Sequence, residues 1–181
     1  MFNSVAEIYD AIEETRERIY SRVTGLTNEQ GSFRPAADAW SVADLAEHLC
    51  ITERRVMGLL TRLIEETELR GSGAGTNGFK AFSLEEYIEQ AKGKKFSAPV
   101  GAQPREGLEI SESIVRLRRT REELRSLQPR IESLDLSEAT LPHPAFGPLN
   151  AYYWLAFVGL HEGRHLAQME RVMESRGFPA N

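Results

Sequence analysis

The chain has 181 residues, enough for one domain with a sizeable core, and 41% of them are hydrophobic, ordinary for a globular protein. Its 27 acidic and 22 basic residues give a formal charge of −5, which argues against a nucleic-acid or anionic-membrane surface. A lone cysteine, Cys50, excludes an internal disulfide and suits a reducing cytoplasm. The longest apolar run, residues 151–160, is half the ~20 residues of a membrane span, and residues 1–10 show neither the basic nor the apolar region of a signal peptide.

Four segments carry helical periodicity. Residues 3–23 place Val5, Ile8, Ile12, Ile19 and Val23 on one stripe. A second helix is expected from Ser41 to about Leu69, with Leu45, Leu49, Val56, Leu59, Leu60 and Leu63 inward. Its start is sharply marked. Ser41 is the N-cap and Asp44 the N3 residue of a capping box, and Trp40 and Leu45 have the spacing of a hydrophobic staple. Residues 70–104 form a long connection that opens glycine-rich and could hold a short helix from Ser83, with Glu86 at capping-box spacing. A floppy insertion, a dimer contact and a lid over the site are the readings open for it. A third helix is expected over residues 105–127, with Ile110, Ile114, Leu117 and Leu124 inward. A fourth is expected over residues 148–176, with Pro148 at its first position and Gly177 as a Schellman stop. No alternating strand pattern stands out. The expected fold is all-α: one domain, residues 1–181, forming a four-helix bundle with a long, partly helical connection between helices two and three.

Three histidines carry the chemistry. His161 and His165 are spaced i, i+4, so their rings lie roughly 40° apart on one helix face. Val158, His161, His165, Gln168 and Val172 share one stripe; Leu45, His48, Leu49, Thr52 and Val56 share another. Both sets face the bundle interior, where an unsatisfied polar group costs about 1–3 kcal/mol. A divalent cation would satisfy all three imidazoles at once. Taken alone, a histidine pair four apart on a helix is more often hydrogen-bonded or incidental than metallated, and the third histidine on a facing stripe strengthens the metal reading. Gln168 is placed to orient a ring or hold a ligand beside the metal. His143, in the loop before the last helix, is either a solvated turn residue or an acid–base group at the pocket mouth.

Two stretches carry a family resemblance: Trp40-Ser41-Val42-Ala43-Asp44-Leu45-Ala46-Glu47-His48-Leu49, and His143-Pro144-Ala145-Phe146-Gly147-Pro148-Leu149 followed by His161-Glu162-Gly163-Arg164-His165-Leu166-Ala167-Gln168. They resemble the DinB-like (YfiT-like) superfamily of metal-binding four-helix bundles, in an order and spacing that span nearly the whole chain. The resemblance implies that His48, His161 and His165 bind one divalent metal, commonly zinc or nickel, with iron or manganese also compatible with imidazole ligands. It implies a transferase using a low-molecular-weight thiol, or a hydrolase, acting on a small molecule, and a homodimer. A non-catalytic metal-binding bundle serving stress response is the alternative. No nucleic-acid or membrane partner is expected.

Two literal motif matches compete. His161-Glu162-x-x-His165 fits H-E-x-x-H, with Glu162 as general base of a metalloprotease. The metzincin extension needs glycine at position 168 and histidine at 171, where this chain has Gln168 and Arg171. Glu162 also lies about 100° round the helix from His161, which suits pairing on the helix flank. Gly73-x-Gly75-x-x-Gly78 fits a dinucleotide fingerprint without the strand it requires. Cys50 is two residues from His48, about 200° round the helix, and reads as a small core or interface residue. The cluster Lys92-Gly93-Lys94-Lys95 reads as a solvated loop.

Overall fold

The structure, a computed structural model, describes residues 1–71, 78–91 and 98–180. Its elements in chain order are α1 (Val5–Val23), α2 (Asn28–Ser32), α3 (Val42–Leu69), α4 (Glu85–Ala91), α5 (Ile110–Arg125), α6 (Gln128–Ser133), β1 (Thr140–His143), β2 (Gly147–Asn150) and α7 (Ala151–Met173), with a 3₁₀ turn at Val100–Ala102 before α5. The long helices α1, α3, α5 and α7 form the expected four-helix bundle, in which α3 packs on α5 and α7, and α1 on α7.

Local sequence signals set the helix starts. Ser4 Oγ accepts the Glu7 amide, and Ser41 with Asp44 forms the expected capping box. The apolar stripes gather into two clusters. One joins the N-terminal half of α1 (Val5, Ile8, Tyr9, Ile12), the C-terminal half of α3 (Leu60, Leu63, Ile64), Leu124 at the end of α5, and the start of α7. The other joins the C-terminal half of α1 (Ile19, Tyr20, Val23), the first turns of α3, Ile110 and Leu117 of α5, and Leu166, Met169 and Val172 of α7. Hence α1 and α7 run one way, and α3 and α5 the other.

That polarity explains the long connection. α3 ends at one end of the bundle and α5 begins at the other, so the chain must travel back along α3, whose 28 residues span about 42 Å. Residues 70–109 are this crossover, a known feature of bundles with parallel sequential helices. Its middle is anchored: Phe2 and Phe82 exchange backbone hydrogen bonds of 2.8 and 3.1 Å, and Phe79, Phe82 and Tyr87 pack on Tyr152, Tyr153 and Phe157. Most of the Gly73–Gly78 match and all of Lys92–Lys95 lie outside the described residues.

The structure corrects several boundaries. Residues 140–150 are an antiparallel hairpin with Pro142 opposite Pro148, so Pro148 belongs to a strand. α7 starts three residues later, capped by Asn150 Oδ1, which accepts the Tyr153 amide at 3.1 Å. α5 starts at Ile110, five residues after the expected point. Ser83 Oγ caps the Glu85 amide at 3.2 Å, with no box to Glu86. α7 ends at Met173, and Gly177 (φ 89°) sits in a separate turn beyond it. The short helices α2 and α6 have too few residues to show a period.

Between the apolar clusters lies an ionic layer. Arg16 of α1, Glu53 of α3, Arg121 of α5 and Glu162 of α7 are all at most 4% exposed. Arg16 pairs with Glu53 at 2.9 Å and with Glu162. Arg121 pairs with both at 2.8 Å. Thr120 donates to Glu53 Oε2 at 2.5 Å, and the arginines cap the carbonyls of Leu117 and Ile12 at 2.7 Å. Burial alone would drive both arginines toward neutrality, but the facing carboxylates outweigh it and hold both above the ordinary guanidinium range. Two charges of each sign from four helices cancel inside the core, which is how so many buried ions are tolerated.

Candidate metal centre

His48 sits in the second turn of α3, where the Ser41–Asp44 box fixes the helix start and therefore the ring's direction. Trp40 packs its ring 5.0 Å from the imidazole. His161 and His165 project one above the other from α7, and the α3–α7 contact brings the three rings together. His48 Nε2 lies 3.2 Å from His161 Nε2, and His165 Nε2 lies 3.1 Å from the same atom. All three ligand atoms fall within 4.8 Å of one another. His48 and His165 are buried and His161 is half-buried.

The second nitrogen of two rings is already committed. His48 Nδ1 meets the Ala102 carbonyl at 2.5 Å, and His165 Nδ1 meets Gln168 Oε1 at 3.1 Å. A carbonyl only accepts, so His48 carries its proton on Nδ1 and presents a lone pair at Nε2. The Gln168 contact sets the same tautomer on His165. Lone pairs of two rings therefore face His161 Nε2, whose single hydrogen could serve only one of them. A cation resolves the conflict. The observed separations also fit: nitrogen ligands at 2.0–2.1 Å around a tetrahedral zinc stand about 3.3 Å apart.

Electrostatics agree. Burial pushes His48 below its ordinary value, against the Ala102 hydrogen bond that supports its protonated form. Burial takes His165 down to about 4, helped by the charge His48 would carry. His161 falls well below the ordinary range, through burial first and then through His165 and His48. Three neutral imidazoles at neutral pH are the state a metal needs.

The crossover reaches this site. Glu47 Oε1 accepts the amides of Arg105 and Glu106 at 2.7 and 2.9 Å. This pins the chain just after the 3₁₀ turn and holds the Ala102 carbonyl against His48. That carbonyl is a backbone group, and no side-chain pattern could have revealed it.

Gln168 lies one turn beyond His165, with its Oε1 3.1 Å from that ring's Nδ1. His143 ends β1 in an aromatic cluster, its ring centroid 4.9 Å from Phe146, 5.0 Å from Trp154 and 5.4 Å from Phe157. Its Nδ1 accepts the Ala145 amide at 3.1 Å, which leaves the proton on Nε2, and burial lowers its pKa. The structure does not bring it into the histidine cluster. Glu162 belongs to the ionic layer, in the interior and not on the flank. Cys50 is buried, its Sγ 3.8 Å from the Ser113 carbonyl.

A family model of the DinB superfamily matches residues 11–169. The chain belongs to the DinB superfamily. Its members often bind metal, and this DinB chain carries three histidines close enough to hold one. It is 26% identical over 165 residues to the uncharacterized protein YuaE of Bacillus subtilis (strain 168), covering 89% of this chain and 94% of YuaE. The crystal structure of TT2238, a four-helix bundle protein, superposes with a TM-score of 0.57 at 21% identity, covering 92% of this chain and 98% of that one. That likeness concerns the fold. No helix among the described residues is long and apolar enough to cross a membrane.

Proposed function

We propose that this DinB protein is a metal-dependent enzyme acting on a small molecule, either transferring a low-molecular-weight thiol or hydrolysing its substrate, with His48, His161 and His165 as ligands of one divalent ion. The observation that carries the reading is the convergence of three imidazole Nε2 atoms, two of them forced into the lone-pair state by Ala102 and Gln168. Three protein ligands leave coordination positions open, as catalytic rather than structural sites do. A divalent ion bound there supplies Lewis acidity, which activates water or a thiol as a nucleophile at neutral pH.

The chain's own groups orient and exclude. Ala102 and Gln168 fix the ring planes, Trp40 covers one side of His48, and the ionic layer holds α3 and α7 in register. Glu162 is a poor candidate for the base of a protease, because its side chain is 2% exposed and its Oε1 is held by Arg16 and Arg121 in the ionic layer.

The test is metal analysis of untagged protein purified without a nickel column, followed by thiol-conjugation and ester panels. One ion per chain and turnover lost in His161→Ala support the reading. A molar ratio near zero overturns it, and stoichiometric metal without turnover leaves a non-catalytic metal-binding bundle.

A further inference from the structure

Arg55 lies on α3 seven residues, about two helical turns, after His48. It is exposed. Arg116 and Arg130, both half-buried, pair with Glu106, Glu112 and Glu68; the more exposed Arg55 has no carboxylate partner among the described residues. Neither internal segment outside them, 72–77 or 92–97, contains an acidic residue.

The guanidinium lies against the 3₁₀ turn. Its Nη2 occupies the space that a Cβ on residue 101 would need, so Gly101 is what lets it lie against the 3₁₀ turn. The next residue, Ala102, is the one whose carbonyl holds His48. A divalent ion at the three imidazoles and the Arg55 guanidinium would both carry positive charge, and Glu47, the buried carboxylate beside His48, has its Oε1 on the Arg105 and Glu106 amides.

We infer that Arg55 receives the carboxylate of a small-molecule ligand whose other end reaches the three imidazoles. The planar guanidinium fork matches a carboxylate in two parallel hydrogen bonds, which fixes the ligand's orientation as well as its charge. The inference rests on the metal-centre reading above and names a specificity for it: carboxylated ligands are preferred over neutral ones of the same length.

The experiment uses cobalt-loaded untagged protein, whose near-ultraviolet thiolate-to-cobalt absorption reports thiol binding. The protein is titrated with 3-mercaptopropionate and with 2-mercaptoethanol. The ratio of the two affinities is compared between proteins, so the intrinsic basicity of each thiol cancels. Arg55→Gln is expected to reduce the preference for 3-mercaptopropionate about tenfold, with cobalt affinity and 2-mercaptoethanol binding unchanged, and Arg55→Lys to restore part of it. Gly101→Ala, whose methyl displaces the guanidinium, is expected to lower the preference in the same direction. Identical ratios in the wild type and Arg55→Gln, with cobalt bound in both, overturn the inference and leave the metal centre standing. A wild type that takes up no cobalt overturns both.

Discussion

Glu162 Oε1 accepts Arg121 Nη2 at 2.8 Å, one residue along α7 from the imidazole of His161, and the two side chains serve different layers of the bundle. The glutamate of H-E-x-x-H is therefore a structural ion here. Glu162→Gln leaves Arg16 and Arg121 with one carboxylate between them inside the core, and breaking a buried pair in this way costs about 3–5 kcal/mol. The expected outcome is a large fall in the urea midpoint at unchanged slope, with metal still bound in low denaturant. A variant as stable as the wild type that loses peptide cleavage would restore the protease reading.

The histidine cluster makes the metal-free protein acid-sensitive. His165 is lowered from 6.5 to about 4 in the folded state, so as pH falls below 6.5 the unfolded chain takes up a proton that the folded chain refuses. Its contribution is fully present above pH 6.5 and lost as pH falls toward 4, on the order of 3 kcal/mol in all. His48 and His161 shift the same way. Urea midpoints measured from pH 7.5 to 4.5 should fall more steeply in metal-free wild type than in His165→Gln. Parallel curves would show that the imidazole is not held neutral by its surroundings.

What the sequence disclosed follows from which signals are local. The Trp40–Leu49 stretch fixes its helix start through side chains three residues apart, and the His161–His165 pair needs only helical spacing, so the bundle and its histidine cluster were legible. The hairpin was not, because strands of four residues carrying Pro142 and Pro148 show no alternation. The ionic layer did leave a trace. Arg16 follows Ile12 by four, Arg121 follows Leu117 by four and Glu162 follows Val158 by four, all on apolar stripes. A charge at such a position on each of several helices signals a buried network. The polarity of α3 against α5, and with it the length of the crossover, follows from tertiary packing alone.

Cys50 separates the protein's own thiol from any thiol chemistry at the metal. It is 3% exposed, and burial pushes its thiol up to about 12, so almost no thiolate exists at neutral pH. Ellman's reagent is expected to leave the native protein unmodified over hours and to titrate one thiol per chain once it is unfolded. Rapid modification of the folded protein, slowed by added metal, would place the cysteine at the centre after all.

Glu47 offers a way to loosen the centre without touching a ligand. Its Oε1 holds the amides of Arg105 and Glu106, and through them the 3₁₀ turn whose Ala102 carbonyl sets the His48 tautomer. Glu47→Ala frees that segment, so His48 can rotate and present its nitrogens in either order. Partners of this outer kind typically contribute 10–100-fold to metal affinity, and about tenfold is expected here, because His165 keeps its Gln168 contact. Competition with a chelator such as a fluorescent zinc indicator reads the change, and the helical circular-dichroism signal should stay at the wild-type level. Unchanged affinity would mean that the crossover only passes by the histidines, and that Trp40 and the helix backbone alone orient His48.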